Sequence, residues 1–139
     1  MPTDAEIAQA REVYRALWAA GRAGLDRDAL AHKLGLEDRA MRDAVALCAR
    51  LAANPTTPGA TPEVVGFDPA IERYVIAAGP EQADRILAYQ FSYIRSGLER
   101  LQAMAVARRA RWGDPPKQER AVQEALFGAE QLKNTWRFR

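Results

Sequence analysis

The chain has 139 residues, 48% of them hydrophobic and 27% charged, with a formal net charge of +2 at pH 7. These values are typical of one folded domain with an extension. No apolar run approaches the roughly 20 residues that cross a bilayer, and the amino terminus lacks the basic start and apolar middle of a secretion signal. We therefore expect a cytoplasmic protein without a membrane segment.

The first predicted element is a helix that begins at Thr3 or Asp4 and runs to about Ala20. Either side chain can cap a helix, because its oxygen accepts hydrogen bonds from unpaired amides of the first turn. Apolar residues at spacings of three and four predict one side that packs in the core. They are Ala10, Val13, Tyr14, Leu17 and Trp18.

Residues 26–53 are predicted to form two helices that meet at Gly35. Asp26 can cap the first helix, and Gly35 supplies the backbone freedom that a tight turn needs. Glu37 or Asp38 can begin the second helix. This arrangement is a helix-turn-helix.

The second helix of this pair has an apolar side and a basic side. The apolar side is predicted to be buried and comprises Met41, Ala44, Val45, Cys48 and Leu51. The opposite side carries Arg39, Arg42 and Arg50. The first two lie in the opening turns, where a recognition helix meets a DNA groove.

A loop over residues 54–63 follows, because three prolines there prevent a helix. Two β-rich runs, Val64–Phe67 and Tyr74–Ala77, predict a two-stranded hairpin, and Asp68 and Pro69 are typical of the turn between them. Such a hairpin is marginal alone and must pack on the helices. Arg73, beside the tip, is a candidate phosphate contact.

Pro80 begins a long predicted helix that runs to about Ala110 and extends roughly 45 Å. Its apolar residues alternate spacings of four and three, as in a coiled coil. The seam comprises Leu87, Phe91, Ile94, Leu98 and Leu101. We expect a second copy of the same helix to cover it, which makes a homodimer. The alternative is that the carboxyl-terminal segment folds back on the seam.

The carboxyl-terminal part is basic. Residues 1–94 hold ten basic and thirteen acidic residues, a net charge of −3, whereas residues 95–139 hold ten and five, a net charge of +5. A last helix is predicted over residues 117–133. Candidate contacts to nucleic acid or to a partner are Arg108, Arg109, Arg111, Trp136, Arg137 and Arg139.

The sequence offers little for catalysis. His32 is the only histidine and Cys48 the only cysteine. Neither a metal cluster nor a nucleophilic triad can be assembled from these residues, and no glycine-rich phosphate loop is present. We therefore expect no catalytic residue, no metal and no cofactor, and we interpret Cys48 as a buried structural thiol.

The pattern from Leu30 to Val45 resembles the helix-turn-helix of small winged-helix proteins from phages and prophages. In that family a short loop, a glycine-containing hairpin and a long arginine-bearing helix follow. The resemblance covers roughly residues 5–110, and the loop over residues 54–63 is longer than the family pattern. It implies a mainly α fold, namely a winged helix-turn-helix of three helices and a two-stranded hairpin, followed by a long helix. The last helix predicted over residues 117–133 adds a carboxyl-terminal helical extension to this fold.

The sequence divides the chain into a winged helix-turn-helix domain (1–79), a long helix with a predicted dimerisation seam (80–111) and a basic helical extension (112–139). The resemblance also implies binding of double-stranded DNA without catalysis, in transcription control or replication. The expected DNA contacts are Arg27, Lys33, Arg39, Arg42, Arg50 and Arg73. The competing hypothesis is a protein-binding module with the same fold, such as a phage inhibitor of a host machine, because acidic residues lie among these arginines.

Overall fold

The computed structural model describes residues 1–113. The predicted helix over residues 117–133 and the terminal Trp136, Arg137 and Arg139 lie outside the described residues. The described elements, in chain order, are α1 (Asp4–Ala20), a 3₁₀ turn (Gly21–Ala23), α2 (Arg27–Leu34), α3 (Asp38–Ala53), β1 (Val65–Asp68), β2 (Arg73–Ile76) and α4 (Pro80–Trp112). Three helices, an antiparallel hairpin and a long helix form a mainly helical, winged-helix-like arrangement, as predicted.

The chain divides into two compact units, Met1–Tyr89 and Gln90–Arg139. The division falls inside α4, whereas the sequence placed a boundary at residue 79. The first unit therefore includes the opening ten residues of α4. In the second unit the described part is the remainder of α4 and Gly113.

Helix α1 begins with a reciprocal cap. The hydroxyl oxygen of Thr3 accepts a hydrogen bond from the Glu6 amide at 3.2 Å, and the Glu6 carboxylate accepts one from the Thr3 amide at 3.0 Å. Two amides that the helix itself leaves unpaired are satisfied in this way.

The core of the first unit lies between the three helices and the hairpin. Its buried members are Ala10, Val13, Ala16, Leu17, Leu30, Met41, Ala44, Val45, Cys48 and Val65. Burial raises the pKa of the Cys48 thiol to about 11, with Glu63 adding to the effect. The predicted burial of Cys48 is confirmed.

Two residues that the sequence placed on the core-facing sides of α1 and α3 are exposed in the structure. Trp18 is 68% exposed and Leu51 is 39% exposed. Trp18 follows Leu17 directly, and one residue turns the side chain by about 100° around a helix, so it leaves the core-facing arc. Its ring stacks on Tyr14 at a centroid distance of 6.1 Å. Leu51 lies similarly at the edge of the apolar arc of α3.

Two hydrogen bonds of Glu63 hold the end of the long loop after α3 against the helices. The Tyr14 hydroxyl donates a hydrogen bond to the Glu63 carboxylate at 2.6 Å, and the Glu63 amide donates to the Ala52 carbonyl at 2.9 Å. The hydrogen bond to the carboxylate raises the pKa of Tyr14 to about 12. Both contacts set the point where the chain enters β1.

The hairpin gains a third, single-residue strand that the sequence did not predict. Leu25 pairs with Tyr74 through two backbone hydrogen bonds of 3.0 and 2.8 Å. Gly24 makes this approach possible, because it is buried, has φ +65°, and a Cβ there would lie 2.4 Å from the Tyr74 carbonyl oxygen. The start of α2 is thereby held against β2.

Asp68 joins the hairpin to α4. Its carboxylate is fully buried and accepts hydrogen bonds from Arg85 at 3.1 and 3.0 Å, from Gln82 at 3.0 Å and from the Ala70 amide at 3.0 Å. The Arg85 guanidinium lowers the pKa of Asp68 to about 2 despite its burial. The sequence assigned this residue only to the turn, and the structure makes it the buried polar centre of the unit.

None of the helices within residues 1–113 is both long and apolar enough to cross a membrane.

The contact at Gly24 predicts a large cost for Gly24→Ala. Gly21 provides a matched control, because its φ is +62° and a Cβ added there would have no atom within 4 Å. Gly21→Ala should cost only the strain of a backbone conformation that favours glycine (φ +62°, ψ −145°), about 1–3 kcal/mol. Gly24→Ala should cost at least about 2 kcal/mol more, since it also overpacks the interior. Urea unfolding measures both, and equal losses would contradict the close approach.

The pKa of Asp68 predicts how stability depends on pH. Because this pKa is lowered from 3.8 to about 2, the ionised carboxylate stabilises the fold above pH 4, and that contribution is lost as the pH falls through 2. Asp68→Asn should lower the free energy of unfolding at pH 7 by about 2 kcal/mol. The difference from the parent should shrink between pH 4 and 2.

Asp84→Asn is the control for this series, because Asp84 is an exposed acid on the same helix as Arg85. It should change the stability at pH 7 by less than about 0.5 kcal/mol. A stability gap for Asp68→Asn that stays constant down to pH 2 would contradict the role of the ionised carboxylate.

Candidate nucleic-acid interface

The turn between α2 and α3 forms as the sequence predicts. The Asp26 carboxylate accepts a hydrogen bond from the Ala29 amide at 2.7 Å and caps α2. Gly35 ends α2 in a left-handed conformation with φ +66°, and the Leu36 amide donates to the Ala31 carbonyl at 3.0 Å. Only three residues separate the two helices, which keeps them in contact.

Helix α3 presents a basic face opposite its buried side. Arg39, Arg42 and Arg50 are exposed, while Met41 and Cys48 are buried. Arg39 and Arg50 are eleven residues apart, about three turns, so they lie on one line of the helix roughly 16 Å apart. Ala46 between them has no bulk to obstruct an approaching surface.

Asp38, the first residue of α3, pairs with two of the predicted DNA contacts. One carboxylate oxygen lies 3.2 Å from Nε of Arg27, and the other lies 3.1 Å from Nε of Arg42. The structure therefore brings together an arginine of α2 and an arginine of α3. The sequence proposed Asp38 only as a helix start, although its spacing of four from Arg42 was a visible signal.

Acidic residues limit the basic character of this face. Helix α3 holds Asp38 and Asp43 beside its three arginines. The first unit as a whole holds ten basic and thirteen acidic residues, a net charge of −3. The positive charge is thus local, and general attraction to phosphate is weak.

A groove separates the start of α1 from one side of α3. It has a volume of about 500 Å³, and its lining includes Glu6, Asp43, Leu47 and Arg50. Arg50 therefore borders this groove, whereas Arg42 lies by Arg27. Two acids and one arginine give the groove no strong preference for an anion.

Lys33 and Arg73 are exposed but do not take part in the Asp38 cluster. Arg73 begins β2, with its Cα opposite that of Asp68. Beyond it the hairpin tip consists of Pro69, Ala70, Ile71 and Glu72, all of them exposed. The tip itself is therefore apolar and acidic, and Arg73 is its basic neighbour.

The described part of the second unit is strongly basic. Residues 90–113 contain five arginines and one acid, Glu99, a net charge of +4. The Arg108 guanidinium donates a hydrogen bond to the Gly113 carbonyl at 3.0 Å, and the Arg111 guanidinium lies 4.9 Å from the centre of the Trp112 ring. Arg109 is exposed in the same turn. These cations suit the negative end of a helix dipole.

The predicted seam follows one side of α4. Ile94 is 50% exposed and Leu101 is 41% exposed, while Phe91 and Leu98 are half-buried. Leu87 belongs to the first unit and is 37% exposed.

Residues 1–113 contain no group of three or more histidine, cysteine or acidic side chains that could hold a metal ion. The raised pKa of Cys48 disfavours its nucleophilic thiolate form.

Comparisons of the chain with protein-family models, with curated proteins and with solved structures gave no match.

Proposed function

We propose that this chain binds double-stranded DNA through α3 and acts in transcription control or replication in the cytoplasm. The observation that carries the proposal is the exposed face with Arg39, Arg42 and Arg50 on a helix whose opposite side is buried, in the second helix of a helix-turn-helix. A rigid helix that presents arginines can enter a major groove, where a guanidinium donates two hydrogen bonds to guanine.

The neighbouring groups have supporting roles in this proposal. Arg27 and Lys33 of α2 would contact the phosphate backbone beside the groove, and Arg73 would contact it from the hairpin. The negative charge of the first unit predicts low affinity for DNA of arbitrary sequence. Affinity for a preferred sequence would then depend on a few well-placed arginines.

A protein-binding module is the second candidate function. It is favoured by the hairpin tip, where Ile71 is 42% exposed beside Glu72. An apolar and acidic tip suits a protein surface better than a phosphate backbone. On this hypothesis the partner is a phage or host protein.

The proposal includes a homodimer in which the seam of α4 packs on its copy. Phe91, Ile94, Leu98 and Leu101 lie on one side of the helix at the spacing of a coiled coil. Two linked recognition helices would read two half-sites on the DNA. The net charge of +4 on residues 90–113 would repel the same charge on the partner helix across such an interface.

The dimer is tested by light scattering at micromolar concentration. We expect the mass of a dimer, with association that strengthens as salt is added, because salt screens the arginine repulsion. Leu98→Glu combined with Leu101→Glu should give a monomer, since a charge in a dry interface is costly. A monomeric parent at every salt concentration would contradict the homodimer.

DNA recognition is tested by titration of the pure protein against duplexes selected from its genomic neighbourhood. Each arginine–guanine pair is worth about 1–3 kcal/mol, so Arg39→Ala with Arg42→Ala should weaken specific binding about thirtyfold or more. The melting temperature should stay nearly unchanged, because both side chains are exposed.

Arg11→Ala with Arg15→Ala is the charge-matched control for this experiment, because both arginines are exposed on α1. It should weaken binding only a few-fold. Equal losses in the two double variants would show that α3 does not read the bases. No duplex binding by the parent would remove the DNA function and favour the protein-binding module.

A further inference from the structure

We propose that Asp38 is a positioning residue, which holds the guanidinium groups of Arg27 and Arg42 together so that both act on one site of the DNA. The inference rests on the proposed function and adds a residue that determines specificity. Its basis is the single carboxylate that contacts an arginine from each helix of the pair.

Asp38 makes its closest approach to each arginine at Nε, on the side of the guanidinium rather than at its tip. Asp38 approaches Arg27 and Arg42 at Nε, at 3.2 and 3.1 Å. A guanidinium has two further nitrogens at its tip, which can donate a parallel pair of hydrogen bonds to guanine or phosphate. Within residues 1–113 neither arginine forms an ion pair with any other acid.

Stability does not account for the cluster. The side chains of Arg27, Arg42 and Asp38 are 61%, 57% and 44% exposed. Ion pairs that are this open to water contribute little to folding, because water screens them and long side chains lose freedom when they pair. That loss of freedom has a use in binding, since an arginine already held in place loses less entropy when it contacts DNA.

The cluster also connects two kinds of contact. Arg27 begins α2, which is expected to brace the phosphate backbone, and Arg42 lies on α3, which is expected to read bases. A shared carboxylate keeps the two guanidinium groups near each other. The position of the backbone would therefore be coupled to the register of base readout.

If Asp38 acted only through its negative charge, its removal would have a different effect from the loss of a positioning residue. A carboxylate close to DNA repels phosphate, so its removal should strengthen binding to every sequence. If Asp38 positions the arginines, its removal should strengthen binding to arbitrary DNA but reduce the preference for the selected sequence. The two explanations are separated by the ratio of affinities rather than by either affinity.

The experiment compares Asp38→Asn with Glu37→Gln and Asp43→Asn. All three variants remove one negative charge, and Glu37 lies at the same end of α3 as Asp38. Neither Glu37 nor Asp43 has an ion pair within residues 1–113. Each variant is titrated on a duplex selected from a random library with the parent protein and on a scrambled duplex, at several salt concentrations, and its melting temperature is measured.

We expect all three variants to bind the scrambled duplex more tightly than the parent by similar factors. Only Asp38→Asn should lose preference for the selected duplex, by about tenfold, the scale of one misplaced base contact. Its melting temperature should match that of Glu37→Gln.

Two outcomes would overturn this role for Asp38. One is an unchanged preference in Asp38→Asn, and the other is a melting temperature clearly below that of Glu37→Gln, which would assign Asp38 to the folding of the helix pair. Failure of the proposed function is a separate result, since the parent protein would then select no duplex from the library.

Discussion

The buried carboxylate of Asp68 is the interaction on which the rest of the first unit depends. Four donors from the turn and from α4 surround it, and no water is needed to satisfy it. Removing the Arg85 partner would leave a buried charge uncompensated, which is far more costly than losing an exposed pair. The hairpin therefore has one position relative to the start of α4.

The position of the hairpin determines that of the helix pair. Tyr74 on β2 pairs with Leu25, and the next residue, Asp26, caps α2. From there only a short turn at Gly35 separates α2 from α3. A chain of short connections thus links the carboxylate of Asp68 to the arginines of α3, although no single contact joins them.

The distribution of charge is the main constraint on function. The first unit is acidic overall, yet its α3 arginines lie together on one exposed face, and Asp38 pairs one of them with Arg27 of α2. A protein of this kind cannot rely on general attraction to phosphate, which is supplied by uncompensated positive charge. Under the proposed function, its specificity would come from the placement of these arginines.

The sequence by itself determined the elements and their faces. The cap at Thr3, the turn at Gly35 and the buried side of α3 follow from local hydrogen bonding and helical periodicity, which nearby residues decide. Only the tertiary structure decided the burial of Asp68, the strand pairing of Leu25 and the contact of Asp38 with both Arg27 and Arg42. Each of these joins residues that are distant in the chain. Trp18 shows the same limit, because periodicity places it near an apolar face while only packing shows where the core ends.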